Sequence, residues 1–281
     1  MAAADPYIAD LVRKADEDRY LSTLYAPAEK RPALLALYAF DAEIARVRDL
    51  VSEPMPGEIR LQWWRDVIEA GGEDAGGHPV ADALLAAIRE CRLPAKTFLD
   101  YLEARTFDLY DDPMPNRTAL EGYCGETSSA IIQLAGLILD PAGAAAHAAA
   151  AGHAGCAAGI LRLLYMLPVH RARGQCYVPA EMLAAAGLDR EAYLAGEPAE
   201  AMNAMVEVTK ALAGEHLRAF ESGAQALPET LLPAFLPLAT LSSRLGRIDP
   251  AIAWRAAAAD ISFLRRHWLL FRRATRGWRN L

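Results

Sequence analysis

Apolar residues recur at helical spacing along almost the whole of this chain, and that pattern excludes most folds. Period-2 runs of β-branched and aromatic residues, the mark of a half-buried strand, are scarce. The best, Gln175-Cys176-Tyr177-Val178, is only a few residues long. The expected fold class is all-α. Alanine supplies much of the 53% apolar fraction and is the residue that costs least in a helix. Pro and Gly punctuation predicts helices over 6–24, 32–51, 58–70, 79–91, 95–110, 118–139, 142–167, 179–186, 189–195, 198–222, 228–245 and 250–274. Thr118-Ala119-Leu120-Glu121 reads as a capping box, and Asp249-Pro250 as an N-cap followed by the first helical residue. The glycine-rich stretch 71–77 is expected to be a surface loop. No later segment has the length and composition of an interdomain linker, so residues 1–281 are expected to form a single helical domain.

Charge narrows the function classes. With 29 basic and 36 acidic residues the chain carries a formal charge of −7, whereas a duplex-DNA binder needs a net basic face. No nucleic-acid partner is expected. Cys91, Cys124, Cys156 and Cys176 are far apart and form no CxxC, which points to a reducing, cytoplasmic setting. The sequence MAAADPYIAD lacks the order of a secretory signal and the character of a transit peptide, and is expected to begin the fold. The apolar stretches 130–139 and 154–169 are interrupted by Gly, Arg or Pro, so no helix is expected to span a bilayer.

Several polar constellations have structural explanations. Asp108-Leu109-Tyr110-Asp111-Asp112 follows Arg105 and is closed by Pro113; it reads as a helix terminus or an arginine-paired acid rather than a metal motif. His147, His153 and His216 stand on Ala-rich or helical stretches and read as surface or core residues. Trp63 and Trp64 diverge by about 100° on a helix, so at least one ring faces inward. The segment 263–279 mixes arginine with aromatic residues. It has two readings, an interfacial helix peripheral to an anionic inner membrane or a final core helix whose last-turn arginines complement the macrodipole.

Leu35-Ala36-Leu37-Tyr38-Ala39-Phe40, then Asp49, then Leu61-Gln62-Trp63-Trp64-Arg65-Asp66 resemble the first conserved region of the squalene/phytoene synthase family. Further landmarks follow in order: His78 to Leu84, Leu93-Pro94 with Phe98, Asp108-Leu109, Tyr123-Cys124, and Arg173-Gly174-Gln175-Cys176-Tyr177-Val178-Pro179. The resemblance covers roughly residues 15–190 and implies the isoprenoid synthase fold, with helices around a central cavity. It also implies two aspartate-rich motifs on facing helices, where i, i+4 carboxylates hold Mg²⁺ against a prenyl diphosphate.

At both motifs the sequence departs from that pattern. After Phe40 it reads Asp41-Ala42-Glu43-Ile44-Ala45-Arg46-Val47-Arg48-Asp49; only Asp49 matches an acid, while Ala45 and Arg46 stand at the other two positions. Asp49 and Glu53, the pair to consider for any metal, have i, i+4 spacing but precede Pro54 at an expected helix end. Counting back from Arg173 puts Met166 and His170 at the second motif, beside Tyr165. Neither is a useful Mg²⁺ ligand. No cofactor is expected, and Mg²⁺ only if the chain is a divergent prenyltransferase.

Phe40, Glu43, Ile44, Ala45, Val47, Asp49, Val51 and Ser52, with Pro168, His170, Arg173 and Pro179, resemble the complex I assembly factor 6 branch of the family. That resemblance implies an assembly or lipid-binding factor for a respiratory complex, with complex I subunits or assembly factors as partners and an isoprenoid or phospholipid as ligand. His170, Arg171 and Arg173, with Arg46 and Arg162, form a candidate anion site. The alternative is that these arginines pair with Asp41, Glu43 and Asp49. The rival function is a head-to-head prenyltransferase using farnesyl or geranylgeranyl diphosphate.

Overall fold

The first helix shows how local chemistry sets the elements. Asp5 accepts a hydrogen bond from the Tyr7 amide at 2.8 Å, and Pro6 takes the first helical position. In the computed structural model, which describes residues 5–71 and 76–278, α1 (Pro6–Ala15) stops at Asp16. That residue is extended and caps α2 (Glu17–Thr23) through the Arg19 amide at 3.0 Å. The helix expected over 6–24 is therefore two.

The chain continues through α3 (Arg31–Ala45), α4 (Pro54–Ala70), α5 (Pro79–Cys91), α6 (Ala95–Thr106), α7 (Arg117–Cys124), α8 (Ala130–Leu139) and α9 (Pro141–Ala146). It then forms α10 (Ala148–Ala172), α11 (Ala180–Ala185), α12 (Arg190–Ala195), α13 (Ala199–Gly223), α14 (Leu232–Phe235), α15 (Leu241–Leu245) and α16 (Phe263–Arg276). Among the described residues there is no strand, and Gln175–Val178 joins no ladder. All four cysteines are free thiols. Residues 72–75 of the expected glycine loop lie outside the described residues.

Four local expectations are corrected. Asn116, not Thr118, caps α7 by accepting from the Ala119 amide at 2.9 Å; Glu121 turns instead to Arg117 at 2.7 Å and His216 at 3.0 Å. The helix expected over 228–245 is broken into short α and 3₁₀ pieces around Pro233 and Pro237, which lack the amide a continuous helix needs. No helix starts at Pro250, because distant groups claim the chain. Arg171 binds the Trp254 carbonyl at 2.7 Å, and Arg244 holds Asp260 at 2.8 Å, so only Phe263–Arg276 is helical. Finally, α10 runs through Gly159 and Pro168 without a break, and is long and apolar enough by composition to cross a membrane. It is the core helix of this fold: Ala154, Ile160, Leu164 and Leu167 are buried, and α13 is its main neighbour.

Glycine lets α10 sit so deeply. A Cβ on Gly155 would lie 2.3 Å from the Ser129 backbone, in the π-helical turn Gly125–Ser129 that joins α7 to α8. Beside this centre, Phe40 of α3 anchors an aromatic cluster, with Trp64 at 5.1 Å, Tyr101 at 5.3 Å and Phe98 at 5.6 Å between centroids. Trp64 faces inward while Trp63 is half-exposed.

Candidate anion-binding cavity

Two helix faces meet across a cavity of about 720 Å³. From α3 come Tyr38, Asp41, Ala42 and Ala45; from α10 come Ala158, Leu161, Arg162, Tyr165 and Met166. Each set repeats at three- and four-residue spacing, so each lies on one side of its helix. Ile131, Ile132, Leu238 and Leu241 make part of the wall apolar, and small Ala42, Ala45 and Ala158 leave the space open.

Asp41 is buried and fully engaged. Arg19 forms an ion pair with it, the Tyr101 hydroxyl donates to it, and Arg105 Nη2 lies 3.2 Å away. Burial pushes its carboxyl up, yet the two guanidiniums outweigh that and hold it well below the usual carboxylate range. Arg105 extends the network by donating to Tyr101 Oη, Asp108 Oδ2 and Tyr123 Oη, each at 3.1 Å. Asp108 also accepts from Tyr123 at 2.7 Å and Tyr177 at 2.8 Å. Asp108 is thus an arginine-paired acid within the core.

A second ionic cluster closes the far side. Asp18 accepts from Arg244 Nη1 at 2.5 Å and Thr240 at 3.2 Å, and lies 3.0 Å from Arg266 Nε. Asp260 is 2.8 Å from Arg244 and 2.7 Å from Arg266, and Glu17 pairs with Arg266. Burial pushes the Asp18 carboxyl up to about 6 despite Arg244 beside it.

Every acid lining the cavity is therefore bound by arginine, Asp16 included, through Arg19 at 3.5 Å. Arg46 and Arg162 also line it, are exposed to solvent, and take part in no ion pair among the described residues. The donor set does not fit Mg²⁺: the cavity's free charges are cationic, and no cluster of three or more His, Cys, Asp or Glu among the described residues is placed to hold a metal ion. An anion with a greasy tail fits the arrangement, because guanidiniums bind phosphate in bidentate fashion without metal.

Asp41, Arg46, Arg162, Tyr165 and Met166 lie on the cavity; the other candidate residues lie elsewhere. Glu43 is turned to His78 at 3.5 Å. Asp49, in a 3₁₀ turn Val47–Leu50, pairs with Arg173, and both are well exposed. Glu53 is extended, just before α4, so Asp49 and Glu53 share no helix face. His170, one turn beyond Met166, leaves the cavity and packs on Tyr177 with centroids 4.5 Å apart; burial lowers its pKa to about 4. Arg171 is spent on the carbonyls of Tyr193, Leu194 and Trp254. The grouping of His170, Arg171 and Arg173 as one anion site is thereby corrected: successive residues at the end of α10 point in different directions. Arg19, Arg244 and Arg266 had no sequence signal. They reach the cavity from α2, α15 and α16 as single charges. His216 is buried in the core, and its Nδ1 lies 3.1 Å from that of His153.

A sequence model described as squalene/phytoene synthase matches residues 12–268. The NADH dehydrogenase (ubiquinone) complex I assembly factor 6 of Bos taurus is 31% identical over 249 residues, covering 88% of this chain and 74% of that protein. Its Homo sapiens counterpart is 31% identical over 246 residues, covering 87% and 74%. The crystal structure of a dehydrosqualene synthase in complex with ligand superposes with a TM-score of 0.80 at 17% identity, covering 95% of this chain and 93% of that one, which establishes the isoprenoid synthase fold. In sequence and in architecture alike, the chain belongs to the squalene/phytoene synthase family.

Proposed function

We propose that this chain is a non-catalytic assembly factor for a respiratory NADH dehydrogenase, and that its cavity holds an anionic isoprenoid or phospholipid through arginine rather than through metal. The observation that carries this reading is the charge of the cavity lining. Arg46 stands unpaired where the family resemblance leads one to look for a carboxylate, Arg162 stands unpaired one turn before Met166 on the facing helix, and every acid lining the cavity is neutralised by another arginine. The cavity volume falls in the range of about 300–1,000 Å³ usual for small-molecule sites. The assembly role draws its support from the similarity to complex I assembly factor 6 over most of the chain. Complex I subunits or other assembly factors are the partners this implies.

The test is NADH dehydrogenase assembly in host cells deprived of this chain. The wild type should restore the assembled complex, and Arg46→Glu/Arg162→Glu should not, although the variant accumulates folded, because both side chains are exposed and unpaired. Full restoration by that variant would remove the cavity from the function. Mg²⁺-dependent turnover of farnesyl or geranylgeranyl diphosphate by the purified chain would replace the reading with a prenyltransferase.

A further inference from the structure

Helix α16 is built with two unlike faces. At 100° per residue, Arg266, Leu270 and Arg273 point one way and Leu264, Trp268 and Phe271 the other. On the inner side, Leu270 is buried, Arg266 enters the Asp18 cluster, and Trp278 just beyond the helix packs edge-on against Phe220 at 4.7 Å. On the outer side, Leu264 is 79% exposed, Phe271 59% and Trp268 57%. Three large apolar side chains at i, i+4 and i+7 thus form a solvent-facing ridge on a helix already anchored to the fold.

Charge identifies what covers that ridge. Residues 263–276 contain five arginines and no acid, in a chain whose formal charge is −7. Arg265, Arg272 and Arg276 run along one edge of the ridge, and the Arg272 guanidinium lies 5.4 Å from the Trp268 ring. Behind that edge is a groove lined by Arg265, Arg272, Arg273, Ser242 and Ser243, with Arg265 donating to the Ser243 hydroxyl at 3.2 Å. Glu221 is its one lining carboxylate, and it faces Arg273. An acidic protein partner would meet the arginines but leave the ridge in water; an apolar one would bury the guanidiniums unpaired. An anionic bilayer surface satisfies both, with acyl chains under the ridge and phosphates at the arginine edge.

We propose that α16 is a membrane-docking helix that lays Leu264, Trp268 and Phe271 into an anionic phospholipid surface, with lipid phosphates received by Arg265, Arg272 and the Ser242–Ser243 groove. It does not rest on the cavity reading, because none of these residues lines the cavity.

The experiment is co-sedimentation of the full chain with phosphatidylcholine vesicles, with and without phosphatidylglycerol, across a salt series. The wild type should bind only the phosphatidylglycerol vesicles, more weakly as salt rises. Trp268→Glu/Phe271→Glu should weaken binding by about tenfold or more, and Arg265→Ala/Arg272→Ala should weaken it and flatten the salt dependence. Circular dichroism of both variants should match the wild type, since the substituted side chains sit on the outer face. Absence of wild-type binding, or binding that the outer-face variants leave unchanged, overturns the proposal. So does a dimer in sedimentation velocity that Trp268→Glu/Phe271→Glu dissolves, because the ridge would then belong to a second copy of this chain.

Discussion

Asp41 and Asp49 are both acids paired with arginine, and burial makes them unequal. Asp41 and Arg105 are buried, so removing the carboxylate takes a charge partner from Arg19 and from Arg105, leaving them only Asp16 and Asp108. Asp41→Ala should cost about 3–5 kcal/mol in urea unfolding. Asp49 is 44% exposed and its partner Arg173 38%, so Asp49→Ala should cost about 0–1 kcal/mol. His170 adds a pH dependence. Its folded pKa of about 4 lies below the ordinary 6.5, so the unfolded chain takes up a proton that the folded chain refuses, and stability falls as pH drops from about 6.5 to about 4. Asp18, raised to about 6, acts in the opposite sense: the folded carboxyl takes its proton first, adding stability as pH falls from about 6 to about 4. His170→Phe keeps a ring against Tyr177 and removes the first effect. Measured by chemical denaturation, the variant should gain on the wild type steadily below pH 6.5, by about 3 kcal/mol at pH 4.

At the scale of elements, the close approach of α10 to the π-helical turn depends on Gly155. Gly155→Ala must push the two apart, because the new Cβ would lie 2.3 Å from the Ser129 backbone; a loss of about 1–3 kcal/mol or more is expected. Gly152→Ala, in the same helix with nothing near its Cβ, should be neutral or slightly stabilising in the same thermal melts. Helices were legible in the sequence wherever local pattern decides, as for α4, α5 and α13. The pattern misled where distant groups take over the backbone. Residues 250–262 carry a helical start signal at Asp249-Pro250, yet Arg171 and Arg244 hold them in an irregular path. The cap of α7 moved to Asn116 because Glu121 had a better offer from His216, 95 residues away.

For the molecule as a whole, the cavity is an exchange of charges among helices far apart in sequence. Arg46, Tyr165 and Met166 could be read in advance because each lies on a helix face that a family pattern marks. Arg19 and Arg244 could not, since each is a single cation meeting its acid across 22 and 226 residues, and Arg105 was legible against Asp108 but not against Asp41, 64 residues away. Those pairings occupy the acids of the cavity and leave Arg46 and Arg162, with Arg13 at its edge against the Tyr20 ring, as free charges among the described residues. The most direct test is calorimetric titration of farnesyl diphosphate into the purified chain, once in EDTA and once with excess Mg²⁺, with pyrophosphate release followed in parallel. Binding should be as strong in EDTA as in Mg²⁺, should disappear in Arg46→Glu/Arg162→Glu, and should release no pyrophosphate. Binding that requires Mg²⁺, or pyrophosphate released on its addition, would contradict a cavity that holds its anion by arginine alone.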